Sequence, residues 1–211
     1  MTIEPKGVDK LMLIVHNGTV YKQFESDDRE QIMNELNAIV NDVYQQGKVI
    51  KLITIDGVDV TGSVESFLVS NLNPIQNIEV HSVTPDEIID SLYADIVDYL
   101  GKVSKAIETI SDMFYGDVNM DAWNQLSQLS EALGFTIEAL QTIIAHGQHH
   151  AGQPSFANEV TVFIDAVKTH VAEINQAIED QDFVLVGDVI RYELGQSVSR
   201  MLNSMVSRVE Q

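Results

Sequence analysis

Five polar residues near the start of the last predicted helix have the types and spacing of a hydrogen-bonded or ligand-binding cluster. They are Asp182, Asp188, Arg191, Tyr192 and Glu193. Asp188 and Tyr192 are four residues apart and share one helix face, while Arg191 is placed to pair with Asp188 across three positions. Asp182 is placed to cap the helix. We interpret the group as a cluster that fixes helix register or contacts a partner, in preference to a ligand site.

Three histidines offer a second kind of chemistry, metal binding. His146, His149 and His150 lie close together in the stretch AHGQHHAG, just after a predicted helix end. Three imidazoles are able to bind a late transition metal. The stretch has no adjacent carboxylate ligand, and protonated histidines are favoured at the negative end of a helix dipole without any metal. We interpret the stretch as a helix-ending loop and keep metal binding as an alternative.

The sequence lacks the motifs of common catalytic sites. It contains no cysteine, no Glu-x-x-His motif for a carboxylate-bridged iron pair and no Gly-x-Ser-x-Gly motif for a serine hydrolase. The reversed motif His170-x-x-Glu173 occurs once. The stretch from Gly57 to Gly62 has neither the spacing nor the lysine of a phosphate-binding loop. We therefore expect a protein that is not an enzyme and that has no cofactor.

The chain is strongly acidic, with 32 Asp and Glu residues against 12 Lys and Arg residues and a formal net charge of -20. Twenty of the acidic residues and six of the basic ones lie downstream of Thr84. Nucleic acids and anionic membranes repel such a surface, because their affinity for proteins comes largely from cationic contacts. We expect no nucleic-acid or membrane partner, but a protein with a basic or apolar surface, or a second copy in a homodimer.

Targeting patterns are missing as well. The first residues, MTIEPKGVDK, do not resemble a secretory signal, and no apolar run approaches the roughly 18–20 residues that a membrane span needs. These observations predict a cytoplasmic protein.

Residues 1–83 have the pattern of a small α+β domain. The dipeptide Asn17-Gly18 between two β-branched runs indicates a hairpin, because both turn positions need positive φ. A helical pattern ends at Gly47. The expected strands are 10–16, 19–24, 49–55, 58–60 and 78–83. This order of hairpin, helix, strand, short strand, helical turn and strand resembles the β-grasp, or ubiquitin-like, fold, and the resemblance implies a sheet face used for protein contacts.

Residues 84–211 have the apolar spacing of long helices. Thr84-Pro85-Asp86-Glu87 has the pattern of a capping box, and breaks at Gly116, Gly147 and residues 180–182 divide the segment into four predicted helices. Short connections predict an antiparallel up-down-up-down four-helix bundle, or helical hairpins exchanged between two chains. The predicted seam of the first helix is Ile89, Leu92, Ile96, Tyr99, Val103, Ala106, Ile110 and Met113.

The start of the fourth predicted helix has the pattern D-x(5)-D-x(3)-YEL, formed by Asp182, Asp188 and residues 192–194. This pattern resembles uncharacterised bacterial proteins, mainly of Gram-positive lineage, that end in such a helical bundle. A proline often follows the Tyr-Glu-Leu in those proteins, whereas Gly195 and Gln196 follow it here. The resemblance implies a fold and a bacterial source and brings no activity.

Three functional hypotheses follow from these observations. The first is a non-enzymatic cytoplasmic interaction or scaffold protein that presents its two domains to a partner. The second is an acidic helical chaperone for a secretion or flagellar export substrate, by analogy of composition. The third is a metal-binding protein that uses His146, His149 and His150.

Overall fold

The computed structural model describes residues 12–24, 28–71, 74–146 and 154–209. The chain divides into two compact units, Met1–Glu87 and Ile88–Gln211. The described part of the first unit contains a mixed sheet with two helices, and that of the second is mostly helical. The α+β class is therefore confirmed, and the predicted division into 1–83 and 84–211 stays a prediction.

Five strands form the sheet among the described residues. They are β1 (Met12–His16), β2 (Thr19–Phe24), β3 (Val49–Ile55), β4 (Val58–Asp59) and β5 (Asn77–Val83). Their order is β2-β1-β5-β3-β4, in which β1 and β5 are parallel and the other neighbours are antiparallel. Asn17-Gly18 and Asp56-Gly57 turn the two hairpins with positive φ at every position, which is why these dipeptides occur there.

Two helices accompany this sheet, α1 (Arg29–Gln45) and α2 (Val64–Ser70). The Asp28 carboxylate caps α1 by accepting hydrogen bonds from two backbone N–H groups of its first turn. One face of α1 and alternate residues of the strands share an apolar core. Its members include Met12, Ile14, Ile32, Leu36, Ile39, Val43, Ile55, Ile78 and Val80.

The helical half has six helical segments among the described residues. They are α3 (Pro85–Asp112), α4 (Met120–His146), α5 (Pro154–Glu179), α6 (Phe183–Asp188), a π-helical segment (Val189–Leu194) and α7 (Gly195–Val209). The last three follow one another without an intervening residue, and we call them together the C-terminal rod. The rod occupies the stretch predicted as the fourth helix, and the π-helical segment divides it. The four-helix bundle stays a prediction.

Capping side chains explain where the long helices begin. The Thr84 backbone N–H donates to Glu87 Oε2 (2.7 Å), and the Glu87 N–H donates to Thr84 Oγ1 (3.1 Å), which is the predicted capping box of α3. Asn119 caps α4, because its Oδ1 accepts hydrogen bonds from the backbone N–H groups of Asp121 and Ala122 in the first turn of that helix.

The buried stripe of α3 differs from the predicted seam. Ile89, Ile96, Val103 and Ile110 are buried as predicted. Between them the buried residues are Tyr93, Leu100 and Ile107, whereas Leu92 and Tyr99 are half-buried and Ala106 is exposed. Along an α-helix, a step of three residues rotates the side-chain direction by about 60° one way, and a step of four rotates it by about 40° the other way. The spacing of apolar residues therefore did not decide which face of α3 is buried. Tyr93, which was not part of the predicted seam, is buried, and its hydroxyl donates a hydrogen bond to the Met205 carbonyl of α7 (3.0 Å).

The capping box predicts a pH dependence of stability. Hydrogen bonds from the Thr84 backbone N–H, the largest cause, and from its hydroxyl lower the pKa of Glu87 below its ordinary value of 4.5. The resulting stabilisation is present above pH 4.5 and is lost as the pH falls through the lower folded-state pKa. We expect Glu87→Gln to be less stable than wild type in urea at pH 7, with the difference shrinking by pH 3.

The control for this measurement is Glu138→Gln, which removes an exposed carboxylate from the middle of α4. This variant should not lose stability relative to wild type at pH 7 and regain it at pH 3. Equal urea midpoints of wild type and Glu87→Gln at pH 7 would contradict the capping account.

Candidate functional site

The five predicted site residues lie at the start and middle of the C-terminal rod. Gln181 has a positive φ of 58°, which breaks the chain away from α5. The Asp182 side chain then caps α6, accepting a hydrogen bond from the Leu185 N–H (3.0 Å). Asp188 is the last residue of α6, and Arg191, Tyr192 and Glu193 lie within the π-helical segment.

The structure pairs Asp188 and Arg191 with residues of α3 and of the turn after it. Arg191 Nη2 donates to Asp112 Oδ1 (2.6 Å). The Tyr115 hydroxyl donates to Asp188 Oδ1 (2.8 Å), and the Arg191 guanidinium lies over the Tyr115 ring at 5.4 Å from its centroid. We call these four residues, Asp112, Tyr115, Asp188 and Arg191, the clamp. It holds the rod laterally against the end of α3.

The clamp groups have shifted pKa values with identifiable causes. Burial, followed by the hydrogen bond to Asp188, raises the pKa of Tyr115 to about 12. The hydrogen bond to Asp112 raises the pKa of Arg191 above its ordinary value. Tyr115 is therefore a neutral hydrogen-bond donor and Arg191 a permanent cation at neutral pH. Neither group is tuned toward proton transfer there.

The π-helical segment follows from the spacing of the apolar residues in the rod. Val186, Ile190, Leu194 and Val198 are all buried and recur every four residues. In an α-helix each four-residue step turns the stripe by about 40°, so three such steps would move it off the core. A π-helical turn contains more residues than an α-helical turn, so residues spaced by four stay on the core side of the rod. Such segments occur frequently at functional sites.

Glycines flank the π-helical segment and permit close packing on α3. A Cβ added to Gly187 would lie 3.0 Å from the Ser111 backbone oxygen and 3.0 Å from the Tyr115 ring. A Cβ on Gly195 would lie 3.2 Å from Ile107 Cγ2. Sequence reasoning missed both contacts, although a glycine on each side of the Tyr-Glu-Leu stretch inside an apolar helix was an available signal.

A pocket of about 200 Å³ lies beside the clamp, lined by Ser104, Glu108, Arg191, Gly195 and Ser199 among others. Ligand sites usually enclose roughly 300–1,000 Å³. The pocket is therefore smaller than most ligand sites.

His170 takes part in a second polar cluster, with a serine and a carboxylate. His170 Nδ1 lies 3.2 Å from Glu173 Oε2, and His170 Nε2 lies 3.5 Å from Ser197 Oγ. This order of groups matches a hydrolytic triad. However, Ser197 lies within α7, where helical hydrogen bonds use the backbone N–H groups that would form an oxyanion hole. We therefore interpret the cluster as a link between α5 and α7.

The proposed histidine metal site lies mostly outside the described residues. His146 is exposed in the last turn of α4, while His149 and His150 are not in the described ranges. Within those ranges no group of three or more His, Cys, Asp or Glu residues is placed to hold a metal ion. In the same ranges, every helix is too short or too polar to cross a membrane.

Comparison with known proteins adds one match. The model of a family described as Domain of unknown function (DUF8042) matches residues 91–204. This range covers more than half of the chain and includes the complete clamp, both flanking glycines and the π-helical segment. No curated protein and no solved structure matches the chain.

The close approach at Gly187 predicts the effect of a single methyl group. Because the Ser111 oxygen belongs to the backbone of α3, it is not free to move aside, and we expect Gly187→Ala to destabilise the protein by about 1–3 kcal/mol. Gly134→Ala is the matched control, since a Cβ there meets nothing within 4 Å and Gly134 is within α4. It should stabilise by about 0.5–1 kcal/mol. Urea unfolding measures both, and equal effects would contradict the close packing.

The Tyr115–Asp188 hydrogen bond predicts a titration. The raised pKa of Tyr115 means that the contribution of this pair to stability is complete below pH 10 and is lost as the pH rises through about 12. In Asp188→Asn the pKa of Tyr115 should fall below its wild-type value, because the charged acceptor of its hydroxyl is lost. Carbon-13 NMR of labelled tyrosine follows the titration, with Tyr93, raised to about 12 mainly by its own burial, as the internal control. An unchanged Tyr115 titration would show that this bond does not form.

Proposed function

Because the chain belongs to the family described as Domain of unknown function (DUF8042), we propose a function built on the clamp within the matched range. In this proposal the protein is a non-enzymatic interaction or scaffold protein whose clamp fixes how the outer face of the rod is presented to a partner. The observation that supports it is the contrast between the two sides of the π-helical segment. Asp188 and Arg191 are tied to Asp112 and Tyr115, whereas Tyr192 and Glu193 point to solvent.

The exposed side of the rod has the composition of a contact surface. Tyr192 is 61% exposed, and Val184 and Leu185 on α6 are also exposed. Tyrosine is enriched at protein interfaces because it combines a large apolar area with a polar tip. We call Val184, Leu185 and Tyr192, with Glu193, the outer face. Its apolar groups and the surrounding acidity suit a partner with a basic or apolar surface.

Two features favour contact over catalysis. The clamp groups are held as a neutral tyrosine and a paired arginine, and the serine of the His170 cluster lies within α7 without an evident oxyanion hole. We propose that the protein works in the cytoplasm without a cofactor. The acidity of the helical half argues against a nucleic-acid or membrane partner.

The finer architecture is also proposed here. The strand order β2-β1-β5-β3-β4 with a parallel central pair supports a β-grasp fold for the first unit. If the rod is counted as one interrupted helix, α3, α4, α5 and the rod are consistent with a four-helix bundle. The D-x(5)-D-x(3)-YEL pattern supports a source in Gram-positive bacteria.

Capture experiments test the proposed contact surface. The tagged protein is incubated with bacterial lysate at low and at high salt, and bound proteins are compared with those on the variant Leu185→Ala/Tyr192→Ala. Truncation of a central apolar interface residue commonly costs more than about 1 kcal/mol of binding free energy. We therefore expect the double variant to capture at most about a tenth as much of a salt-sensitive partner as wild type does.

The matched control is Val69→Ala, which removes an exposed apolar side chain from the first unit. It should bind the partner as wild type does. Recovery of no salt-sensitive protein, or equal recovery by the double variant and wild type, would contradict the proposal.

A further inference from the structure

A groove lies between α5 and α7, on residues that the clamp does not use. It has a volume of about 250 Å³. Phe163 and Met201 are buried beneath it, Val162 is 61% exposed at its edge, and Glu159, Ala166 and Arg200 also line it. An apolar groove of this kind is suited to the apolar side chains of a docking helix.

Arg200 gives this groove a positive charge that no carboxylate in the described part of the chain pairs with, since Glu159, which also lines the groove, is paired with Arg208. Its guanidinium donates to Gln196 Oε1 one turn earlier. Among the described residues no carboxylate lies at ion-pair distance from it, whereas Arg208 on the same helix pairs with Glu159 (3.0 Å). The α7 sequence contains two arginines and no acidic residue, although the chain carries a net charge of -20. A carboxylate-bearing partner is therefore the expected occupant.

Such a partner surface exists on α4. Its solvent side carries a stripe with the 3,4 spacing of a single helix face, and all five members are exposed: Gln128, Glu131, Phe135, Glu138 and Thr142. Phe135 is 52% exposed and contacts Tyr99 only edge-on, with ring centroids 5.4 Å apart. Glu131 and Glu138 lie one turn before and one turn after it. The α4 sequence contains no lysine or arginine.

We propose that the α4 stripe of one copy docks in the α5–α7 groove of a second copy. Phe135 then contacts Val162 and Ala166 over the apolar floor, and a stripe glutamate pairs with Arg200. The dimensions agree, because Asn158 to Ala166 along the groove spans about 12 Å and Glu131 to Glu138 spans about 10 Å. Both surfaces are exposed in a single chain, so a second copy is the partner that satisfies both.

This contact is heterologous, since it joins two different surfaces. Repeated from copy to copy, it closes into a ring or extends as a chain. It uses residues outside the clamp and the outer face and therefore goes beyond the proposed function. A failure of self-association would leave the capture experiment unaffected, and the reverse is also true.

Light scattering coupled to size-exclusion chromatography of the purified full chain tests the proposal. We expect the average mass to rise above that of the monomer with increasing concentration, at a moderate salt concentration that screens the repulsion between two copies of net charge -20. Phe135→Ala and Arg200→Glu should each weaken association at least about tenfold, which corresponds to the loss of one central contact. Lys105→Glu, which makes the same charge change at an exposed site on α3, should leave association unchanged.

A mixing experiment removes the ambiguity of a variant that fails to fold. Arg200→Glu alone and Glu131→Arg/Glu138→Arg alone should both be monomeric. Their mixture should associate, because the acidic groove of the first accepts the basic stripe of the second, and each still carries one native surface for the other. A wild-type protein that stays monomeric up to millimolar concentration would overturn the proposal. The proposal would also be overturned if Arg200→Glu and Glu131→Arg/Glu138→Arg each associate as wild type does, or if their mixture stays monomeric.

Discussion

The close approach of the C-terminal rod to α3 is the constraint on which the helical half depends. A side chain at Gly187 would contact a backbone oxygen of α3, and one at Gly195 would contact Ile107. With these glycines in place, Asp188 and Arg191 lie within hydrogen-bond distance of Tyr115 and Asp112. The π-helical segment between the glycines keeps a four-residue apolar spacing on the core side, so packing, helix type and polar contacts all follow from one arrangement.

The magnitudes indicate what the clamp contributes. Exposed or partly exposed ion pairs typically contribute about 1 kcal/mol or less, whereas burial of one large apolar side chain contributes about 1.5–3 kcal/mol. The apolar core, which includes Ile96, Leu100, Ile190 and Leu194, therefore supplies most of the stability. In our proposal the clamp selects among sliding registers of two apolar surfaces, because its polar groups are paired in the register observed. A fixed register would in turn keep the exposed Tyr192 and Glu193 in a defined position at the surface.

Features governed by neighbours in sequence could be predicted, and features governed by distant contacts could not. The Asn17-Gly18 turn, the Thr84–Glu87 capping box and the Asp182 cap each depend on a few adjacent residues and formed as predicted. The partners of Asp188 and Arg191 lie more than 70 residues away, in the turn after α3 and at the end of α3, and local spacing favoured pairing Asp188 and Arg191 with each other instead. The side of α3 that is buried, including Tyr93, depends on the same distant packing.

The most direct test of this account is the distance between the rod and α3 at Gly187. In nuclear Overhauser spectra of the labelled protein, we expect strong cross-peaks from the Gly187 α protons to the Tyr115 ring protons, since the ring lies 3.0 Å from the position a Cβ would take. The absence of these cross-peaks, in a sample whose α3 and rod resonances are otherwise helical, would contradict the close approach and with it the clamp.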